Sequence, residues 1–330
     1  DAVEVTDDIG VPGNTSPTPT DPLSGDQLMA YLYPVTDTLF DVYVQFMPMP
    51  FTGYDPNNDY GPVNTLSYAA PTRPAMLTEA TGTTLAYVGI DNNLYVIDEN
   101  FVEQRITNSG GVFSIAVSPD GRYFAYTGTS SNDNHMYVYD LNTDTEVAYP
   151  LQAPVIDGGG TATDTILYAD ALDFDYTSKT IVFDYLICIS TPALGDCISG
   201  GGYRYWSVGF IDAASGNQTY PFPSQSPALD IGYPSFAANN NYVIAMDVQD
   251  YSDFSTNGGL IESGVISVNF DAQEVNNIYY YGLNTSPIYG VPSFWGHDDY
   301  LTLQIPDNFG DGAYRIAVDN NLSGSGPAEL

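Results

Sequence analysis

The stretch Ser114–Thr127, SIAVSPDGRYFAYT, is typical of two short strands joined by a tight turn. Both strands consist of branched, aromatic and small residues, and Asp120-Gly121 between them is a turn dipeptide, because glycine accepts the left-handed backbone that such turns need. Similar second strands lie at 84–88, 180–183, 242–245 and 300–304, and each follows a polar turn. The hairpin is therefore interpreted as one copy of a repeat that runs along most of the chain.

A third strand follows each of these second strands, and a plausible fourth strand follows each third. The third strands all end on an aspartate: Asp98, Asp140, Asp212, Asp271 and Asp319. Aspartate can bond its own backbone two residues on, so these residues are expected to start the turn into the fourth strand. The unit is a four-stranded antiparallel meander of about 40–60 residues, the period of propeller blades.

Residues 27–70 supply a sixth, weaker unit. The predicted fold class is all-β, a six-bladed β-propeller of four-stranded antiparallel blades over residues 27–330. Residues 1–26, rich in Ser, Thr, Pro and Asp, are predicted to form an extended N-terminal tail. A short strand at 2–5 could complete the first blade or add to a neighbouring subunit.

The segment SPDGRYFAYTG, followed by MYVYDLNTDTE, resembles the TolB-like and WD-repeat-like propeller repeat. The resemblance covers about residues 71–330 and is strongest at 113–145. It implies the propeller fold and leaves function open, because this repeat occurs in periplasmic partner-binding proteins, peptidase gating domains and surface proteins.

The net charge of −35 over 330 residues argues against nucleic acid and anionic lipid as partners, since both require basic patches. The charge is consistent with solubility or with cation binding. No run of 18 apolar residues occurs, so no membrane span is predicted.

Cys188 and Cys197 are the only two cysteines and lie nine residues apart in the loop CISTPALGDC. A disulfide is the favoured interpretation, and two unpaired thiols are the alternative. The disulfide predicts an oxidising compartment, either extracellular, including the cell surface, or alternatively periplasmic.

Calcium is the one cofactor that the sequence suggests, at two Asx-rich segments. Asp55, Asn57 and Asp59 place oxygen ligands at alternate positions, but the glycine comes one place late and no glutamate closes the loop. Asp307 and Asp311 are followed by a correctly placed glycine and lack a middle ligand. Ordinary Asx-rich turns are the alternative at both places. Four sequons predict glycan attachment, at Asn14, Asn217, Asn284 and Asn321.

No catalytic constellation is apparent. His135 and His297 are expected in loops on opposite faces, and the chain has no nucleophile elbow, phosphate loop or haem motif. The long insertions, at 127–135, 153–169, 187–204, 250–263 and 306–312, all fall on the face of the strand-two to strand-three loops, which is therefore the expected binding face.

These features favour a secreted or cell-surface, non-enzymatic propeller that acts as a structural or binding module. Its expected partners are proteins, including other copies of itself in a fibre linked through the N-terminal tail. One alternative is a TolB-like periplasmic partner-binding protein. The other is a calcium-dependent propeller hydrolase or lactonase, which would need acidic, amide and histidine side chains converging at the axis.

Overall fold

The computed structural model describes residues 27–36, 39–47, 59–67, 75–79, 82–89, 91–97, 103–128, 133–154, 163–190, 197, 202–222, 228–237, 239–252, 259–290, 292–295, 297–305, 312–318 and 324–329. Side chains are described from residue 86 to residue 292 within these ranges, except those of 97, 103 and 163. Every regular element in the described ranges is a β-strand. This part of the chain contains no helix with the length and apolar character of a membrane span.

The strands form six antiparallel sheets that follow one another along the sequence. The first sheet has three described strands: β1 (Gln27–Thr36), β2 (Leu39–Met47) and β3 (Asp59–Ser67). The second and third have four each: β4 (Ala75–Glu79), β5 (Gly82–Val88), β6 (Leu94–Ile97) and β7 (Glu103–Arg105), then β8 (Val112–Val117), β9 (Tyr123–Gly128), β10 (His135–Asp140) and β11 (Thr145–Pro150).

The remaining three sheets also have four strands each. The fourth sheet is β12 (Thr163–Phe174), β13 (Thr180–Ser190), β14 (Tyr203–Asp212) and β15 (Gln218–Thr219). The fifth is β16 (Leu229–Ala237), β17 (Asn240–Asp250), β18 (Ile261–Asn269) and β19 (Glu274–Asn284). The sixth is β20 (Ser293–Trp295), β21 (His297–Ile305), β22 (Gly312–Val318) and β23 (Gly324–Glu329). The repeating meander predicted from the sequence is confirmed in these sheets.

Consecutive sheets pack face to face, with the first strand of each sheet beside the first strand of the next. Contacts of this kind join β1 to β4, β4 to β8, β8 to β12, β12 to β16 and β16 to β20. An apolar core fills each interface between the second and fifth sheets. The inner strand β9 is therefore buried on both faces, whereas the outer strand β11 is mostly exposed. This decrease in burial from the inner to the outer strands explains why inner strands are continuously apolar and outer strands are polar.

The hairpin predicted at Ser114–Thr127 is confirmed as β8, a tight turn and β9. Gly121 has φ 70°, and its N–H donates to Ser118 O at 2.8 Å. Ser118 Oγ accepts the N–H of Tyr123 at 2.8 Å and donates to Asp120 Oδ1 at 2.7 Å. Asp120 thus stabilises the turn, because its carboxylate accepts a hydrogen bond from Ser118.

The strand-ending aspartates follow the predicted pattern in two of the described sheets and depart from it in a third. Asp140 Oδ1 accepts the N–H of Asn142 at 3.0 Å, and Asp212 Oδ1 accepts the N–H of Ser215 at 2.7 Å. In the fifth sheet Asn269 has this role, because its Oδ1 accepts the N–H groups of both Asp271 and Ala272 at 3.1 Å. The prediction for Asp271 was therefore wrong: β18 ends two residues earlier, and the turn begins at Asn269.

The first strands of three sheets carry β-bulges at matching positions. The ladder shifts between Val112 and Ile115 in β8, between Ala169 and Leu172 in β12, and between Gly232 and Ser235 in β16. A bulge removes backbone N–H groups from the ladder and re-aims the neighbouring side chains. The N–H groups released in this way need other acceptors, and those acceptors shape the candidate site.

Candidate binding cavity

A cavity of about 200 Å³ lies where the fourth and fifth sheets meet the segment that leads into the sixth. Four aspartates, three aromatic side chains and a glutamine line it: Asp170, Asp184, Asp230, Asp247, Trp206, Tyr233, Tyr289 and Gln249, with Ile231 and Gly232. Asp230 and Gln249 pair one residue from the ends of β16 and β17, at the side of the strand-two to strand-three loops. This part of the cavity therefore lies on the side of the sheets that carries the long insertions.

Asp184, in β13, joins the bulges of two neighbouring sheets. Its Oδ1 accepts the N–H of Ala171 in β12 at 2.8 Å, and its Oδ2 accepts the N–H of Tyr233 in β16 at 2.8 Å. Both donors belong to bulges, so this carboxyl group satisfies N–H groups that the ladders leave unpaired. In the preceding sheet Thr127 has the matching role, because its hydroxyl accepts the N–H of Ser114 at 3.3 Å.

Asp247, in β17, repeats the arrangement one sheet later. Its Oδ1 accepts the N–H of Gly290 at 2.8 Å. A Cβ at Gly290 would lie 3.2 Å from that oxygen and would meet Tyr281 Oη, and a Cβ at Gly232 would lie 3.0 Å from Asp184 Oδ2. The similar segments GYPSF at 232–236 and GVPSF at 290–294 thus each begin with a glycine whose backbone lies against a buried carboxylate of the preceding sheet, and at Gly290 the Tyr281 hydroxyl leaves still less room for a side chain.

Asp230 and Gln249 form the part of the cavity wall nearest the loops. Asp230 Oδ1 accepts the N–H of Trp206 at 2.9 Å. Gln249 is 1% exposed, and its Nε2 donates to Ile288 O at 2.6 Å while its Oε1 accepts the Ser263 hydroxyl. Both polar atoms of the glutamine amide are thereby hydrogen-bonded within the protein, which fixes the orientation of the amide.

The electrostatics of the cavity are dominated by carboxyl groups in a place that solvent reaches poorly. Burial raises the pKa of Asp184, and the neighbouring charge of Asp170 raises it further against the opposing N–H bonds. Burial also raises the pKa of Asp230, against the N–H bond from Trp206. Both pKa shifts favour the neutral acid, since desolvation and like charge disfavour the ionised carboxylate.

Tyr233 and Tyr289 line the cavity, Tyr251 lies near Asp230 and Tyr289, and Tyr203 lies near Tyr251; these four tyrosines are called the aromatic rim. Tyr289 packs edge-on against Tyr233, with ring centroids 5.7 Å apart, and Tyr203 and Tyr289 are 40% and 44% exposed. Burial raises the pKa of Tyr251 to about 12, with further contributions from the charges of Asp230, Tyr289 and Tyr203. The face therefore combines a buried acidic cavity with an exposed aromatic rim.

The residues predicted as calcium ligands are not tested by these features. Asp55, Asn57, Asp307 and Asp311 lie outside the described residues, and Asp59 is described only as the first residue of β3. Within the part of the chain whose side chains are described, no three acidic, histidine or cysteine side chains converge as a metal site would require. Calcium binding at the two Asx-rich segments stays a prediction.

The histidines lie at the first residues of strands, His135 in β10 and His297 in β21, rather than in loops. They do lie at opposite ends of their sheets, as expected. His135 Nδ1 is 3.0 Å from Asp133 Oδ1, and the Tyr137 hydroxyl donates to Asp133 Oδ2 at 3.1 Å. This cluster fixes the start of β10 and does not line the cavity.

The predicted disulfide between Cys188 and Cys197 is present, with Cα atoms 6.1 Å apart. Cys188 is fully buried and Cys197 is 5% exposed. Ser190 Oγ accepts the N–H of Cys197 at 3.1 Å, and Gly202 approaches both sulfur atoms with φ 80°, where a Cβ would lie 2.7 Å from Cys188 Sγ. The bond thus anchors the loop after β13 on the cavity face.

Two of the four sequons lie in described residues and differ in accessibility. Asn217 is exposed in the turn between β14 and β15. Asn284 is partly buried, and its Nδ2 donates to Tyr281 O and Gly282 O at 3.3 Å. Asn14 and Asn321 lie outside the described residues.

None of the residues that line the cavity was predicted from the sequence, and the binding face stays a prediction. Asp184 and Asp247 did carry a signal, because Asp184 is the single charge of β13 and Asp247 interrupts the apolar run in the middle of β17. Such a residue is buried only when its oxygens are hydrogen-bonded. Asp170 and Asp230 carried no comparable signal in a chain this rich in aspartate.

No protein-family model matches the chain. No curated protein matches it either. Among solved structures, TolB from Acinetobacter baumannii is similar with a TM-score of 0.54 and 15% identity, over 93% of this chain and 65% of the TolB chain. Weaker likenesses include dipeptidyl peptidase 4 from Porphyromonas gingivalis, with a TM-score of 0.49 and 12% identity over 93% of this chain and 46% of that one. The tricorn protease has a TM-score of 0.47 and 11% identity over 92% of this chain and 30% of that one.

The likeness to TolB shows the fold class, a β-propeller built from antiparallel sheets. The propeller prediction is confirmed at that level. The chain spans 65% of the TolB chain, less than two thirds of its length.

Proposed function

We propose that this chain is a six-bladed β-propeller that binds a protein partner through the face carrying the acidic cavity. Six sheets in chain order, with adjacent first strands, support a ring of six blades. The TolB-like fold supports a binding role, because propellers of this kind present loops from a rigid scaffold.

The observation that carries the proposal is the aromatic rim beside the cavity. Tyr203 and Tyr289 are exposed, and Tyr251 lies close enough for its pKa to respond to both. Exposed tyrosines around a desolvated pocket are typical of protein-binding surfaces, since the ring supplies contact area at low entropic cost. The cavity in their midst would hold an anchoring side chain of the partner.

The protein is proposed to act outside the cytoplasm. The buried Cys188–Cys197 disulfide supports this location, because such bonds persist in oxidising compartments. A periplasmic role is consistent with the TolB-like fold, and the extracellular or cell-surface location remains the sequence-based prediction.

The experiment is a selection of displayed peptides against the full chain, followed by affinity measurements with three variants. Tyr203→Ser and Tyr289→Ser alter the cavity face, whereas Tyr176→Ser alters an exposed tyrosine in the turn between β12 and β13, on the opposite face. Selected peptides should bind the first two variants at least about tenfold more weakly and Tyr176→Ser with unchanged affinity.

The proposal is wrong if no peptide is enriched, or if enriched peptides lose affinity only with Tyr176→Ser. A catalytic role would be indicated instead if esters, lactones or glycosides were turned over in a calcium-dependent manner.

A further inference from the structure

The cavity concentrates carboxyl groups, with no basic side chain among its lining residues. All four titratable acids in the lining are aspartates, and no lysine, arginine or histidine lines it. Asp184 is 3% exposed and Asp247 is 1% exposed, so solvent stabilises their charges poorly. A bound cation would offset the repulsion between Asp170 and Asp184, because opposite charge favours the ionised form.

The geometry fits an organic cation better than a metal ion. A metal needs several oxygens converging on one point, and no such group of three occurs among the described side chains. Several of the carboxyl oxygens accept backbone N–H bonds instead, from Ala171, Tyr233, Trp206 and Gly290. The carboxyl groups are therefore spread around the wall instead of converging on one point, an arrangement that a delocalised or bulky cation can contact.

Aromatic rings provide a second and independent element of cation recognition. Trp206 lies in the wall and is oriented by an edge contact with Tyr168, with centroids 5.5 Å apart and planes at 86°. Tyr233 and Tyr289 form a second edge contact. Indole and phenol faces attract ammonium and guanidinium groups, most strongly where water is excluded.

The size of the cavity limits what can enter. Its volume of about 200 Å³ is below the roughly 300–1,000 Å³ of sites for drug-sized ligands. The end of one basic side chain fits this space. We propose that the cavity binds a single guanidinium or ammonium group, presented by a lysine or arginine of the protein partner; this inference rests on the proposed function.

The cavity can be tested without the partner by titrating the full chain with small cations. Agmatine carries a guanidinium and an ammonium group, n-butylamine carries an ammonium group, and n-butanol is the neutral control of matched length. Calorimetric titration at about 0.15 M salt should detect binding of the two cations and no binding of butanol, because screening at that strength weakens surface attraction more than attraction within a cavity.

Two substitutions and a matched control locate the binding. Asp230→Asn keeps the Oδ1 acceptor for Trp206 and removes the charge, and Asp271→Asn removes one charge at an exposed turn outside the cavity. Agmatine should bind Asp230→Asn at least about tenfold more weakly and Asp271→Asn with unchanged affinity. Trp206→Leu should weaken agmatine binding by about threefold to thirtyfold through loss of the ring face.

Two results would overturn the inference: butanol binding as well as butylamine, or equal losses in Asp230→Asn and Asp271→Asn. The peptide selection separates this inference from the proposed function. In one outcome, selected peptides still bind the cavity face after their lysines and arginines are replaced by glutamine, and the small cations do not bind. That outcome would support the partner site and refute the cation assignment. If the small cations bind and no peptide is selected, the cation assignment stands and the proposed partner site falls.

Discussion

Replacing Asp173 by asparagine should flatten the pH dependence of the stability. Asp173 lies in β12 with 2% of its surface exposed. Its Oδ2 accepts the N–H of Phe236 at 2.9 Å and the Ser235 hydroxyl at 3.2 Å, across the interface to the fifth sheet. Burial raises its pKa from 3.8 to about 8, against these hydrogen bonds.

The direction of the pH dependence follows from the number of protons bound in the folded and unfolded states. Between about pH 4 and pH 8 the folded state holds a proton that the unfolded state has released. The stability from this group is therefore fully present below its unfolded pKa and is lost as the pH rises through its folded pKa. One proton corresponds to about 1.4 kcal/mol per pH unit, or about 4 kcal/mol between pH 5 and pH 8 as an upper limit.

Asparagine keeps the acceptor that Ser235 and Phe236 use, and it does not titrate. Urea unfolding of the wild type and Asp173→Asn, followed by circular dichroism from pH 5 to pH 8 at constant ionic strength, measures the difference in slope. Asp184 and Asp230 remain in both proteins, so their raised pKa values cancel from the comparison. Asp271→Asn, the same substitution at an exposed turn, is the matched control. Equal slopes for wild type and Asp173→Asn would refute the reasoning, because Asp173 would then be ionised in the folded protein.

Four further outcomes are expected. Replacing Cys188 and Cys197 by serine should lower the free energy of unfolding by about 2–3 kcal/mol at most, since the closed loop is short, and should leave the circular dichroism spectrum unchanged; two reactive thiols in the untreated wild type would contradict this. Millimolar calcium should raise the melting temperature above that in EDTA at matched ionic strength through the predicted Asx-rich segments, and coincident curves would exclude a calcium site. After secretion from a glycosylating host, peptide mass spectrometry should find glycan on Asn217 and none on Asn284, whose amide donates to two carbonyls; the reverse pattern would contradict this accessibility argument. Deleting residues 1–26 should abolish any concentration-dependent assembly seen by sedimentation, and assembly that persists in the truncated protein would rule out the tail as a subunit linker.

The repeat could be predicted from the sequence because its signals are local. The turn at Ser118–Gly121 needs only a hydroxyl acceptor, an Asx residue and a glycine within four positions, and the strands on either side show their burial by their apolar content. The disulfide is local in the same sense, since Cys188 and Cys197 are close along the chain. The error at Asp271 shows the limit of local reasoning, because two Asx residues stood within reach of one turn and strand pairing selected Asn269.

The sequence by itself determined the repeating strand pattern and the Ser118–Gly121 turn, since each depends on residues within a few positions of one another, and composition determined the sign of the net charge. Only the tertiary structure decided which aspartates act together. Asp170, Asp184, Asp230 and Asp247 come from four strands of two sheets, and bulges in β12 and β16 set which N–H groups and rings face them. In a chain with 41 acidic residues, composition cannot distinguish a carboxyl group on the surface from one in a cavity. The distinction is desolvation, which depends on how neighbouring sheets pack, and it raises the pKa of Asp184 and Asp230 while the aspartates of the surface turns stay in water.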